Sequence, residues 1–518
     1  MTPQAYEKRW WALGVLCFSL LVIGLDNTIL NVALPTLVRD LHASASQLQW
    51  MVDAYVLVFA GLLLTAGALG DRYGRKLALY VGMFIFGLGS IASAWSGSAN
   101  ALIATRACMG IGGAAIMPST LSILTNIFPP KERGRAIGIW AAVAGLGIVV
   151  GPVIGGYLLD HFWWGSVFLI NVPVVAIAIV SGFFLVPESK DPEARPLDPV
   201  GALLSIGGLT ALLYAIIEAP DRGWASGGIL ISFAVAAVFI TSFLVWERRT
   251  RYPMLDIRFF ENPRFSAASL SITLVFFALF GSIFLLTQHL QFVLGYTPLQ
   301  AGFRLMPVAT LVVAAPLSAR LIEKVGTKIV VAGGLLIVAA ALFLLSTVSV
   351  SSGYGLVAIS IAILGVGMGF TMTPATESIM GSLPLGKAGV GSAMNDTTRQ
   401  VGGALGVAIL GSIYASSYSN AMASAVRGLP AAAATQASNS VGKAFAVASQ
   451  LGTRGASLIH AAQTAFVNSM GTAVTVAAGV ALLGALISAL FLPAWARDSD
   501  ERHPHEDMAE EKTKVAVG

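Results

Sequence analysis

An apolar stretch of about twenty residues recurs fourteen times along this chain, and a helix of that length crosses the hydrocarbon core of a bilayer. The stretches lie near 11–34, 50–69, 78–97, 100–122, 135–158, 166–186, 200–219, 228–246, 266–289, 300–321, 328–348, 354–376, 395–417 and 471–493. In hydrocarbon a backbone N–H or C=O has no water to turn to, so each segment must satisfy its own hydrogen bonds. The expected fold class is an all-α polytopic membrane protein. Only 11% of residues are charged, where a soluble domain carries about 25%. That deficit excludes a water-soluble enzyme. The 55 glycines suit helices that approach closely in lipid. The two cysteines, Cys17 and Cys108, fall in apolar stretches, so no disulfide framework is expected. The first stretch is too long for a signal peptide and Leu34-Pro35 lacks a small-residue cleavage pattern, so no cleavable signal is expected.

Lysine and arginine orient the spans. With the N-terminus taken as cytoplasmic, 23 of them fall in the two tails and the even-numbered connections, and five on the opposite side. Positive charge collects on the cytoplasmic side, so both termini are expected there, in the cell membrane. This placement also accounts for the net charge of +5 without a nucleic-acid partner. Gly70-Asp-Arg-Tyr-Gly74-Arg-Lys76 after the second stretch has an echo after the tenth, Ile322-Glu-Lys-Val-Gly326-Thr-Lys328. Two six-helix halves joined by an inserted helix pair would produce such a parallel repeat. The divisions expected are 1–187 for the first half, 188–264 for a charged, proline-rich linker and the seventh and eighth helices, and 265–496 for the second half. The segment 418–470, rich in Ala and Ser, reads equally as an external helical hairpin or a mobile loop. A polar tail over 497–518 is expected to be disordered.

Asp26 is the residue that fits least. It is the one charge between Trp10 and Val38, and a carboxylate at that depth costs several kcal/mol unless paired, hydrated or protonated. Arg106 in the fourth stretch needs a partner for the same reason. Topology puts Asp26, Asp53 and Arg106 at similar depth, where they are expected to share a polar cluster; Asp53 reads equally as a first-turn dipole partner. In Gly67-Ala-Leu-Gly-Asp71-Arg72-Tyr-Gly74-Arg75-Lys76, Gly74 permits a tight turn and Asp71 is expected at a helix N-terminus, forming a clasp between the halves. Glycines spaced by four in Gly147-Ile-Val-Val-Gly151-Pro152-Val-Ile-Gly155 make a smooth face, with a kink at Pro152, that packs closely or seals the halves. Asn395, Asp396 and Arg399 open the thirteenth stretch, as a local ion pair on a helix end or as part of a substrate or proton site. Glu218, Glu377, Gln288, His289 and Gln291 read as interfacial, and Phe276, Phe277, Phe280 and Phe284 as packing. No metal-ligand or nucleophile constellation points to an enzyme.

Together these residues resemble the major facilitator superfamily, and within it the fourteen-helix drug:proton antiporters. Residues 25–35 (LDNTILNVALP) look like that branch's first-helix signature, and 67–76 (GALGDRYGRK) are similar to the superfamily's loop between helices 2 and 3. Residues 106–113 (RACMGIGG), 145–156 (GLGIVVGPVIGG) and 168–173 (FLINVP) resemble the fourth-helix arginine motif, the antiporter motif and a further motif of the branch. Trp164-Gly165-Ser166 departs from the usual Trp-Arg-Trp. The resemblance implies that Asp26 alternates between protonated and ionised forms, that Arg106 tunes it and that Asp53 helps bind a cation. Asp396 lies where related exporters place acids. The tenth stretch lacks the carboxylate some members carry, so the resemblance does not extend to divalent cationic drugs.

The expected function is proton-driven export of lipophilic cationic drugs, dyes or biocides by a monomer using alternating access, with no cofactor beyond the proton motive force. Export of a lipid or endogenous metabolite on the same fold is the alternative. A non-transporting receptor or channel fits the repeat and the kinked glycine helix less well.

Overall fold

Each of the fourteen apolar stretches falls on one helical span of the computed structural model, which describes residues 7–190, 197–253, 255–382, 388–452 and 455–494. The spans are α1 (Arg9–Leu41), α2 (Ala45–Tyr73), α3 (Arg75–Ala94), α4 (Ala99–Ile127), α5 (Pro130–His161), α6 (Ser166–Leu185) and α7 (Pro199–Arg222). They continue as α8 (Gly227–Arg249), α9 (Pro263–Val293), α10 (Pro298–Val325), α11 (Thr327–Ser346), α12 (Tyr354–Met380), α13 (Ala388–Met422) and α14 (Gly455–Phe491). Among the described residues thirteen are long and apolar enough to cross a membrane; the other, α5, is 32 residues long and includes side chains outside the described set. The tail 497–518 and the linker residues 191–196 also lie outside it.

Local chemistry sets the boundaries. Ser44 and Gln47 form a reciprocal capping box at the start of α2, and Thr297 and Gln300 form another at the start of α10. Gly74, at φ 126°, and Gly326, at φ 84°, each end one helix and begin the next, so the paired loops seen as a sequence echo are also a paired geometry. Pro307 sits in a 3₁₀ turn, Met306–Ala309, that breaks α10. The segment 418–470 is largely helical: α13 runs on to Met422, α14 begins at Gly455, and two short helices, Ala431–Asn439 and Val441–Gln450, fill the gap.

Helices α1 to α6 pack chiefly on one another, as α1 on α5 and α4 on both α2 and α3; α9 to α14 do likewise, as α9 on α13 and α11 on α12 and α14. Helix α7 pairs with α8 and touches both α2 and α13. Exposed Leu230, Ile231, Val238, Leu482, Leu486 and Leu490 give α8 and α14 apolar outer faces suited to lipid. Arg9 and Phe491 mark the tail end of the bundle, and the opposite end is the loop end.

Candidate functional site

At the centre of the first six helices, the expected pair forms. An Arg106 terminal nitrogen donates to Asp26 Oδ2, and the two side chains are 1% and 2% exposed. The guanidinium is held from two further sides: its Nε donates to the Met51 carbonyl at 3.0 Å, and its Cζ lies 4.5 Å from the centre of the Tyr55 ring. Asn171 Nδ2 donates to the other Asp26 oxygen at 3.4 Å and to Ser90 Oγ at 3.2 Å. Five helices, α1, α2, α3, α4 and α6, therefore converge on one carboxylate.

Glycine lets them converge. A Cβ on Gly110 would stand 2.6 Å from the Tyr55 carbonyl oxygen, and one on Gly112 would stand 2.6 Å from the Gly82 carbonyl and 2.7 Å from the Phe86 nitrogen. The residues that follow Arg106 thus hold α4 against α2 and α3 closely enough for its guanidinium to reach across.

Asp53 does not join this cluster. It is fully buried, but among the described residues neither carboxylate oxygen has a hydrogen-bond partner. At about 100° per residue it points about 200° away from Met51, whose carbonyl Arg106 holds. One turn back on its face, the Gln49 amide lies against Gly411 of α13. Expected depth was shared, but helix phase turned the side chain toward the other six helices.

Asp396 and Asn395 are buried eight and seven residues inside α13 rather than on its end, because that helix starts at Ala388. The Asp396–Arg399 pair is loose, at 4.0 Å; Thr376 of α12 donates to Asn395 at 3.2 Å and accepts from Arg399 at 3.3 Å, and Phe276 of α9 lies 5.6 Å from the guanidinium. Asp71 is likewise displaced from expectation. Helix α2 continues through Tyr73, so Asp71 sits in its last turn and pairs with Arg75 at 2.7 Å across the Gly74 break. Around this loop, Gly67 packs on Pro118, Arg72 lies near Tyr73, and Arg75 N donates to Ser189 O at 2.9 Å.

The glycine stripe of α5 divides its work. Gly151 faces Thr28 and Gly155 faces Ile29, so the stripe packs on α1, and Thr28 donates to the Gly147 carbonyl at 3.2 Å. Pro152 and Gly156 face α10: the Pro152 carbonyl meets Gly302, and a Cβ on Gly156 would stand 2.5 Å from Leu299 Cα. More contacts join the two groups at the loop end. Gln291 donates to the Val32 carbonyl at 2.8 Å and Thr297 to Asp160 at 2.9 Å, while Ser412 of α13 ties the inserted α7 to the second group through the Ile216 carbonyl at 2.8 Å. Gly442 of the external helices packs on Val38 and Phe292. Nearby, burial pushes the Lys443 ammonium down from the ordinary lysine value, against the pull of Asp221. His289, Gln288 and Gln291 belong to this closed end; all three are buried, not interfacial, with Phe466 of α14 stacked beside His289 and Phe445 of the external helices beside the neighbouring Phe292.

Asn171, Ser90 and Tyr55 escaped sequence reasoning. Asn171 had a signal, an amide in the apolar run 168–173; a serine and a tyrosine in apolar spans had none.

Two sets of six helices wrapped around buried charge and joined at one end define the transporter class of multi-pass membrane proteins. The profile of the Major Facilitator Superfamily matches residues 16–407, and the chain belongs to that family. It is 36% identical over 490 residues to the multidrug efflux pump LfrA of Mycolicibacterium smegmatis, covering 94% of this chain and 97% of that one. It is 34% identical to the tetracenomycin C resistance and export protein of Streptomyces glaucescens, covering 96% of this chain and 94% of that one. It is also 34% identical to the methyl viologen resistance protein SmvA of Salmonella typhimurium, covering 92% and 97%. In fold it is similar to a bacterial homolog of the human lysosomal transporter Spinster in an inward-facing, unoccupied conformation, with a TM-score of 0.65, 19% identity, and 94% and 98% of the two chains covered.

Proposed function

We propose that this protein exports lipophilic cationic drugs, dyes or biocides in exchange for protons, by alternating access across the cell membrane with both termini cytoplasmic. The observation that carries the reading is the Asp26–Arg106 pair, buried where five helices meet. A proton arriving at Asp26 removes the charge that Arg106 balances, while the Met51 carbonyl and the Tyr55 ring still hold the guanidinium. The pair is thus a switch between a closed ion pair and a neutral acid beside a held cation. Relatives named for multidrug efflux, tetracenomycin C export and methyl viologen resistance support the substrate class.

In this reading the segments 1–187 and 265–496 rock against each other with 188–264 between them. Asp53, Asp396 and Asn395 supply polar groups to a cationic substrate, with Asp26 exposed to it when unprotonated. Gly67, Asp71, Arg72, Gly74 and Arg75 at the tail end, and Gly151, Pro152 and Gly155 along α5, take up the motion. The proton motive force drives the cycle without a cofactor, in a monomer.

The test is transport of a fluorescent lipophilic cation into proteoliposomes under an imposed pH gradient. Asp26→Asn should slow gradient-driven transport by about tenfold or more, the equivalent of about 1.4 kcal/mol in the barrier. Transport at the wild-type rate in Asp26→Asn overturns the reading.

A further inference from the structure

Away from the seam between the two groups of helices, α2, α4 and α7 border a cavity of about 570 Å³ that is open at the loop end. A drug-sized molecule fits in that volume. Helices α4 and α7 both pack on α2, so the walls come from the first group and the inserted pair alone. The cavity therefore exists without any parting of the seam.

Its lining joins a carboxylate to two aromatic rings. Among the described residues that line it, Glu218 of α7 carries the one formal charge. Trp50 of α2 and Tyr214 of α7 supply the rings, with centroids 6.5 Å apart and planes tilted by 44°. Trp50 Nε1 donates to Glu218 Oε1 at 3.2 Å, which holds the carboxylate beside the rings. At the mouth, Gln47 donates to Asn100 at 2.9 Å, and Ser46 donates to Asp221 at 3.2 Å. These bonds tie α2 to α4 on one side and to α7 on the other, so the walls are preformed. Asp221 is balanced from the external helices by Lys443, which leaves Glu218 as the acid of the cavity.

Arg222, which is not part of the lining, shows what this corner attracts. Its Nε donates to the second Glu218 oxygen at 3.0 Å, and its Cζ lies 5.5 Å from the centre of the Tyr214 ring. A cation thus already rests on a carboxylate and near an aromatic ring, the two contacts that a bound organic cation makes. The Arg222 side chain is 58% exposed and that of Glu218 17%. A pair with one partner so exposed, four residues apart on one helix, holds weakly in water. Arg222 can swing outward and leave Glu218 and the Tyr214 ring to a ligand.

We propose that this cavity is a peripheral site for a lipophilic organic cation from the loop-side medium, separate from the central Asp26–Arg106 pair. Glu218 supplies the opposite charge, Trp50 and Tyr214 supply the rings and apolar area, and Arg222 competes as a tethered occupant. The lining selects the cation chemistry; that such a cation is also one the protein exports rests on the function proposed above. Because the walls do not cross the seam, the site fills from the medium whichever end of the transporter is open.

The experiment follows labelling of a cysteine at the mouth, Asn100→Cys, by a membrane-impermeant maleimide in nanodiscs, with Cys17 and Cys108 replaced. Saturating tetraphenylphosphonium should slow the labelling several-fold. Glu218→Gln keeps an acceptor for Trp50 but loses the charge, and should raise the half-protecting concentration about tenfold, as should Tyr214→Leu. Arg222→Gln should lower that concentration, because the tethered competitor is gone. Damage to the local fold would weaken protection in both charge variants, so shifts of opposite sign report the site itself. Asp26→Asn should be protected like wild type. Unchanged protection in Glu218→Gln, no gain in Arg222→Gln, or lost protection in Asp26→Asn overturns the proposal. So does labelling that slows when phosphatidylethanolamine is added to phosphatidylglycerol nanodiscs and is then indifferent to tetraphenylphosphonium, since the occupant is then a lipid headgroup. The assay needs neither a gradient nor turnover, so its failure is distinct from a failure of Asp26 to drive exchange.

Discussion

Arg106 spends its guanidinium in three directions at once: a carboxylate, a backbone carbonyl and an aromatic face. A planar fork suits this arrangement and a lysine ammonium does not. Arg106→Gln leaves the Asp26 carboxylate buried without its counter-charge, and breaking such a pair costs about 3–5 kcal/mol. The double variant Asp26→Asn/Arg106→Gln removes the orphaned charge and should recover much of the loss. Thermal unfolding in detergent should therefore rank wild type above the double variant and the double variant above Arg106→Gln; a double variant that melts below the single one would exclude a direct pair. Both partners were legible in the sequence because a charge in an apolar run is expensive and conspicuous. Asp53 was legible as a buried acid but not as an unpartnered one. Its direction depends on helix phase relative to α4, which neither depth nor topology supplies.

At the scale of elements, the helices were legible and their ends were not. Apolar runs record the width of the hydrocarbon, whereas α13 and α14 extend beyond it into the segment 418–470, where Ala and Ser carry a helix without a hydropathy signal. The glycines of α4 were visible as a motif, but their use appears only in the packing. Gly112 brings α4 onto the α3 backbone at Gly82 and Phe86, so Gly112→Val must push the two apart. Overpacking of this kind costs about 1–3 kcal/mol or more. It should also shorten the reach of Arg106 and slow transport. Gly333→Ala in α11, where an added Cβ meets nothing within 4 Å, should leave melting unchanged or raise it slightly by reducing the freedom of the unfolded chain. Equal destabilisation by the two substitutions would show that the contact between α3 and α4 is not tight.

For the whole molecule, the contacts between the first and last six helices matter most, since exchange requires an end that opens. At the loop end two backbones touch: the Pro152 carbonyl of α5 meets Gly302 of α10, while Gly156 meets Leu299. Neither position can accept a side chain without moving a helix, because the opposing atoms are main chain rather than the tip of a flexible residue. Gly302→Leu should therefore act on the balance of states more than on either group of helices by itself. With the seal forced apart, a cysteine placed at Val38, which is 3% exposed, should react with a membrane-impermeant maleimide several-fold faster than in a Gly302 background. Export should fall in parallel, because a transporter held open at one end cannot complete its cycle. Rapid export with unchanged labelling at Val38 would mean that α5 and α10 do not guard this end.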